Sequence, residues 1–374
     1  MNRRRYLRGV AGIGAVGTAG LAGCLEGLGF EEESAWANPP LVEDRPDAVY
    51  LPASLEEMGM YGMDSDGDYA LGLSYTFPHR FWTVEATSDG KQLVEVDADD
   101  SLHLMLTVWD QETDTVLPVD PVIEVLQDGS PVDAGSSSPW PMISQRMGFH
   151  YGDNIRLPGE GEYTARVRTG PVSLERTGTF DGRLESAATL EVDFEYSRSA
   201  VNDLSFETID EDRRGSREAL PLMSHGDDGA GNGSGDGGGG MPPMGQGPPI
   251  DDLPGESLGT ERSGDAAITP IRTDADRFTD GGDYLAVCLR TPYHGISLPL
   301  TSLSATLERD GSVRREERLT ETLDGEFGHH YGLAVDDLAA GDRLTVSVDS
   351  PPQVSRHDGY ETAFFEFDDV TYTV

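Results

Sequence analysis

From residue 47 to the C-terminus the chain is one short apolar run after another: YALGLSYTF, FWTVEA, LVEVDA, LHLMLTVWD, VIEVLQDG, YTARVRT and LEVDFEYS. Each is rich in Val, Leu, Tyr or Phe. Several alternate with a period of two, and most stop at Gly, Asp, Pro or Ser. A period of two sends every second side chain to the same face, which is the signature of a half-buried strand. Only 54–58 and 204–214 carry a weak helical period. Strands at this spacing predict an all-β chain built from antiparallel β-sandwiches.

The pattern is also repeated. His150-Tyr151-Gly152 recurs as His330-Tyr331-Gly332, and each triplet leads through a glycine (Gly161 or Gly341) into an alternating strand, TARVRT or LTVSVDS. Upstream, Asp68-Tyr69 precedes His79 and Asp283-Tyr284 precedes His294 at the same spacing. These correspondences predict a tandem duplication of one sandwich, the first copy over 47–206 and a shorter second copy over 266–374. Between them, 207–265 is dominated by Gly, Asp, Pro and Ser. It reads as a disordered linker, because so little apolar surface cannot offset the entropy of ordering the backbone. Met223, His225, Met241 and Met244 in this tract read as chance, its GxGxxG match has no flanking strand or helix, and Asn232 begins a glycosylation sequon.

Charge narrows the classes of partner. The net charge is −41, and Lys91 is the only lysine. Self-repulsion on this scale opposes compaction unless concentrated salt screens it, which predicts a protein adapted to high salt, of a haloarchaeon, and ill suited to bind phosphate backbones. No nucleic-acid partner is expected.

The first 24 residues read as an export signal. Arg3-Arg4-Arg5 precedes a mild Gly/Ala-rich run that ends in Leu21-Ala22-Gly23-Cys24, which predicts a Tat-exported lipoprotein lipidated at Cys24 and tethered to the membrane through acidic residues 25–46. With Cys24 so used, Cys288 has no partner for a disulfide and reads as a buried small hydrophobe.

The chemistry is concentrated in 140–155, WPMISQRMGFHYGDNI, where Met142 and His150 flank a turn. Thioether sulfur with imidazole nitrogen suits copper or iron better than magnesium or calcium. The wider segment PMISQRMGFHYGDNIRLPGEGEYTARV resembles the signature of the periplasmic high-affinity iron-transport proteins. The likeness is closest over 142–167, returns at His330 to Gly332, and extends loosely through His357-Asp358. The resemblance implies two immunoglobulin-like sandwiches that bind iron or copper and serve a membrane iron permease. It carries metal-ligand roles to Met142 and His150 in the first half and to His330 and His357 in the second. The family's early-strand His and acidic positions fall here on Ala70 and Gly72, and on Leu285 and Val287.

His79 and His294 offer replacement donors, giving an expected set of Met142, His150 and His79 in the first half. The second-half set is His294, His330 (or His329) and His357; His103 is undecided because it alternates with Leu and Met. No nucleophile constellation argues for an enzyme. The expected function is therefore capture of iron or copper outside the membrane. The alternatives are a surface module that has lost its metal and, behind it, a copper redox site using Cys288 and His294. Whether the chain dimerises is left open.

Overall fold

The computed structural model describes residues 39–223 and 241–374, apart from Ser136 and Asp337. The expected signal, Cys24, His225 and Asn232 lie outside the described residues. Among the described residues no helix is long and apolar enough to cross a membrane.

The first half opens with β1 (Ser54–Glu56), β2 (Gly59–Asp66), β3 (Tyr69–Thr76), β4 (Phe81–Glu85), β5 (Thr87–Val94) and β6 (Leu102–Asp110). It continues with β7 (Val122–Gln127), β8 (Ser130–Pro131), β9 (Trp140–Ser144), β10 (Gly148–Ile155) and β11 (Gly161–Thr169). Then come β12 (Glu175–Thr177), β13 (Ala188–Tyr196) and β14 (Phe206–Thr208). The second half holds β15 (Glu256–Ser257), β16 (Glu261–Ser263), β17 (Ala266–Thr273), β18 (Asp283–Arg290), β19 (Ser302–Arg309) and β20 (Ser312–Arg318). It ends with β21 (Thr320–Asp324), β22 (Gly328–Val335), β23 (Arg343–Ser350), β24 (Ser355–Arg356) and β25 (Val370–Thr373).

The fold is all-β, as the period of two predicts. In β13 buried and exposed residues alternate without a break, ATLEVDFEY turning Leu190, Val192 and Phe194 inward. The two weak helical stretches are corrected. Residues 54–56 and 206–208 are strands that pair with each other, and the one α-helix among the described residues is the single turn Arg198–Asn202, capped by Ser197.

In the first half, β13-β11-β7-β8 faces β2-β3-β6-β10-β9. In the second, β25-β23-β19-β20 faces β17-β18-β22-β21, with β15 and β16 on the edge. Strand for strand the two orders match. The same comparison corrects one correspondence: β18, carrying Tyr284, occupies the place of β6, next to the HYG strand, and not that of β3. Tyr69 and Tyr284 are therefore not equivalent, nor are His79 and His294.

The two sandwiches exchange strands. β24 leaves the second half and pairs in parallel with β9 of the first, Ser355 opposite Met142 and Arg356 opposite Ile143. Reciprocally, β12 leaves the first half and pairs in parallel with β21, Glu175 opposite Thr322. Buried residues of both halves consequently form one continuous hydrophobic cluster. The guanidinium of Arg356, fully buried, donates to the carbonyls of Pro352, Val354, Ala363 and Phe364, so the inserted segment is tied to itself as well as to β9.

The expected linker is also revised at both described ends. β14 pairs with β1, Met223 N–H donates to the Arg146 carbonyl, and beyond residue 240 Gly247 and Ser297 exchange backbone hydrogen bonds with Gly295 and Gly245. Low apolar content did not prevent order here, because the segment lies against walls that both sandwiches already supply.

Candidate metal centre

The HYG strand β10 separates its side chains by face. Phe149 and Tyr151 enter the sandwich core, where the Tyr151 hydroxyl donates to the Leu117 carbonyl and accepts from Val119 N–H. His150, Gly152 and Asn154 point the other way. Register brings four more residues to that second face: Met142 opposite His150, Met105 opposite Gly152, His103 opposite Asn154, and Ser355 opposite Met142.

Gly152 is required by what surrounds it. A Cβ there would stand 2.6 Å from Nε2 of His103 and 3.2 Å from Sδ of Met142, so the missing side chain leaves space where an imidazole and a thioether converge. His79, in the turn after β3, and His357, directly after β24, close the cluster. Ligating nitrogens of His79, His103 and His357 all lie within 4.8 Å of one another. The His150 ring lies 5.2 Å from that of His357, centroid to centroid.

Hydrogen bonds set the tautomers. Nδ1 of His79 faces the Phe77 carbonyl at 3.1 Å, Nδ1 of His150 the Gly148 carbonyl at 3.1 Å, and Nδ1 of His103 the amide oxygen of Asn154 at 2.9 Å. A carbonyl oxygen can only accept, so each Nδ1 carries the proton and each Nε2 presents a lone pair. Asn154 serves twice, since its amide nitrogen donates to the His79 carbonyl and its oxygen accepts from the His79 backbone. Nε2 of His103, His150 and His357 are buried and have no protein partner. Buried polar atoms are nearly always paired, and three unpaired imidazole nitrogens in one cluster of histidines fit a metal ion.

Burial holds all four imidazoles neutral near pH 7: it pulls His79 and His150 down to about 4, and His103 and His357 well below their ordinary value, with neighbouring imidazoles adding to the effect at His79, His103 and His357. Neutral imidazole is the ligating form. Glu56 places a carboxyl oxygen 3.4 Å from Nδ1 of His79, and burial with the nearby Asp358 pushes it up to about 8. A cavity of about 110 Å³ opens beside the cluster, with His79, His150, His357 and Glu56 on its wall.

The second half does not assemble its expected set. His330 stands opposite Thr322 where His150 stands opposite Met142, and its Nδ1 donates to the Gly328 carbonyl at 3.1 Å, the counterpart of the His150 bond. Tyr284, opposite Ala334, takes the place of His103, and its hydroxyl lies 3.1 Å from Nε2 of His330. Phe278 stacks on Tyr284 with ring centroids 4.1 Å apart, and a Cβ at Gly332 would coincide with the Tyr284 hydroxyl. Thr177, the last residue of β12, stands at the position that His357 takes after β24. The space that holds ligands in the first half is thus filled by an aromatic side chain in the second.

His294 faces the Leu220 carbonyl at 2.7 Å, and His329 pairs with Glu321 at 2.7 Å. His357, expected with His330, belongs to the first-half cluster. Cys288 is buried among Leu253, Ile271, Tyr284, Ala286 and Phe327, and burial raises its thiol, while His294, its partner in the copper redox reading, faces the Leu220 carbonyl.

Sequence reasoning left His103 undecided and missed Asn154 and Met105. It also took β3 for the ligand-bearing early strand, whereas β6 lies beside β10. The alternation LHLMLTVWD does place His103 and Met105 on one face, but only the register with β10 shows which one.

A family model described as a domain of unknown function, DUF7350, matches residues 251–373. Two solved structures of FetP from uropathogenic Escherichia coli are similar over part of the chain. One, a copper-bound variant, is 18% identical with a TM-score of 0.29, covering 37% of this chain and 97% of its own. The other, FetP as isolated after recombinant expression in the periplasm, is 16% identical with a TM-score of 0.28, covering 37% of this chain and 96% of its own. No curated protein matches the sequence.

Proposed function

We propose that this chain is an extracytoplasmic metal-binding protein that captures a copper or iron ion and passes it to a membrane permease. The ion is cargo, and its donors are drawn from His79, His103, His150, His357 and Met142. One observation carries the reading: ligating nitrogens of His79, His103 and His357 lie within 4.8 Å of one another, and Nε2 of His103, His150 and His357 are buried without a protein partner. Imidazole with thioether is a donor set for copper or ferrous iron and a poor one for magnesium or calcium. The protein performs no covalent chemistry in this proposal. A Tat signal and a lipid at Cys24 would keep the site outside the membrane and within reach of a permease.

A structural role is favoured for the second half alone, because Tyr284 occupies its pocket and satisfies His330. The two halves then divide the work: one binds, and the other supplies His357 and the scaffold that presents it.

The test is elemental analysis of the exported protein, purified in concentrated salt and titrated with Cu²⁺ and Fe²⁺. One equivalent per chain, lost in His150→Ala, is expected. Absence of stoichiometric binding of either ion would defeat the proposal in favour of a purely structural module.

A further inference from the structure

We propose that the cavity beside the histidine cluster is a thioether-lined vestibule through which Cu(I) reaches the site, with Met58, Met147 and Met223 as its outer donors. This rests on the metal-binding reading above and goes beyond it in naming the oxidation state delivered and the route.

The first observation is where methionine occurs. Among the described residues the buried methionines are Met105, Met142 and Met147, and all three are at this site. The sandwich cores are otherwise packed with Leu, Val, Ile, Phe, Tyr and Ala. Methionine used as gap filler would be scattered through those cores. Here the buried methionines gather at the histidine cluster, Met105 and Met147 lining the cavity and Met142 beside Gly152.

The second is the gradient of exposure. Met58 and Met223 on its wall are half-buried, Met147 and Met105 are buried, and Met142 is fully buried, meeting His103 at Gly152. An ion bound weakly by successive thioethers can move inward without meeting a stretch that lacks donors. The charged groups on the walls come in both signs, Glu56 and Asp358 with Arg80 and Arg146, and Arg80 bonds Asp358 at 3.0 Å. Selection by charge is therefore weak, and selection by softness favours a monovalent thiophilic ion.

The third is that the walls are tied together. Met223 N–H donates to the Arg146 carbonyl at 3.0 Å, an Arg146 guanidinium N–H donates to the Glu56 carbonyl at 3.1 Å, and Leu220 N–H donates to the Gln145 amide oxygen at 2.6 Å. Three separate segments are thus held in one preformed rim.

Leucine keeps the volume and apolar character of methionine and removes the sulfur. The triple variant Met58→Leu, Met147→Leu, Met223→Leu would be compared with the unaltered chain for loading by chelator-buffered Cu(I), by Ag(I) as a redox-silent probe, and by Fe²⁺. We expect Cu(I) and Ag(I) to load about ten-fold more slowly in the triple variant, with unchanged final stoichiometry and unchanged Fe²⁺ loading. Cu(I) loading at the unaltered rate would overturn the vestibule alone. Failure of the unaltered chain to bind any of the three ions would instead overturn the metal-binding reading.

Discussion

Nδ1 of His357 lies 3.0 Å from Nε2 of His79, across 278 residues of sequence. The pairing exists because β24 crosses from the second sandwich to the first and places the residue that follows it over the outer face of β9 and β10. A candidate metal centre assembled this way draws its side chains from both halves.

Ligand substitutions in the two halves should therefore have unequal effects. His357→Ala is expected to abolish high-affinity metal binding as completely as His150→Ala does, while His330→Ala leaves stoichiometry and affinity unchanged. Competition titration against a chelator of known affinity checks all three. Loss of binding in His330→Ala with retention in His357→Ala would reverse the assignment.

The side-chain amide of Asn154 holds the His103 ring and the backbone of His79, so it acts on affinity by orienting ligands. Asn154→Ala should fold and bind the same number of ions with affinity lowered about ten- to one-hundred-fold, as removal of such supporting hydrogen bonds commonly does. The same competition titration measures it, and unaltered affinity would show that the imidazoles are held by packing alone.

Tyr284→Phe removes the one hydroxyl that meets Nε2 of His330. A buried polar atom left without a partner costs about 1–3 kcal/mol, so the denaturation midpoint in concentrated salt should fall while metal binding is retained. A midpoint equal to that of the unaltered chain would mean that His330 finds another partner.

Acid should destabilise the metal-free protein. His79, His150 and His330 are held down at about 4 by burial, and His103 and His357 well below their ordinary value. Above the ordinary histidine pKa of about 6.5 these groups are neutral in folded and unfolded chains alike. As pH falls from there toward 4, the unfolded chain takes up protons that the folded one refuses, and stability is lost. Glu56 and Asp358, held up at about 8 and about 6, act in the opposite direction, but two carboxyls stand against five imidazoles. Thermal melts at fixed salt from pH 7 to pH 4 should show a falling midpoint, with metal raising it most at the upper end.

The sequence by itself determined the all-β class, because a period of two is a local property that survives any arrangement of the strands. It pointed to two similar halves through the HYG triplets and the glycines that follow them, and it placed Met142 and His150 together, since a short hairpin leaves them opposite each other. What only the tertiary structure decided was the rest of the site. The face that His103 occupies depends on the register of β6 with β10, and a one-residue slip would have buried it in the core. The partner of His357 depends on parallel pairing between segments far apart in the chain, which leaves no periodic trace in either. That second-half ligands would be replaced by Tyr284 followed from matching β18 to β6, a correspondence that the spacing of Asp, Tyr and His had obscured. Local alternation specifies strands, but the choice of neighbour is made by burial over the whole molecule, and in this chain the histidine cluster lies where that choice was made.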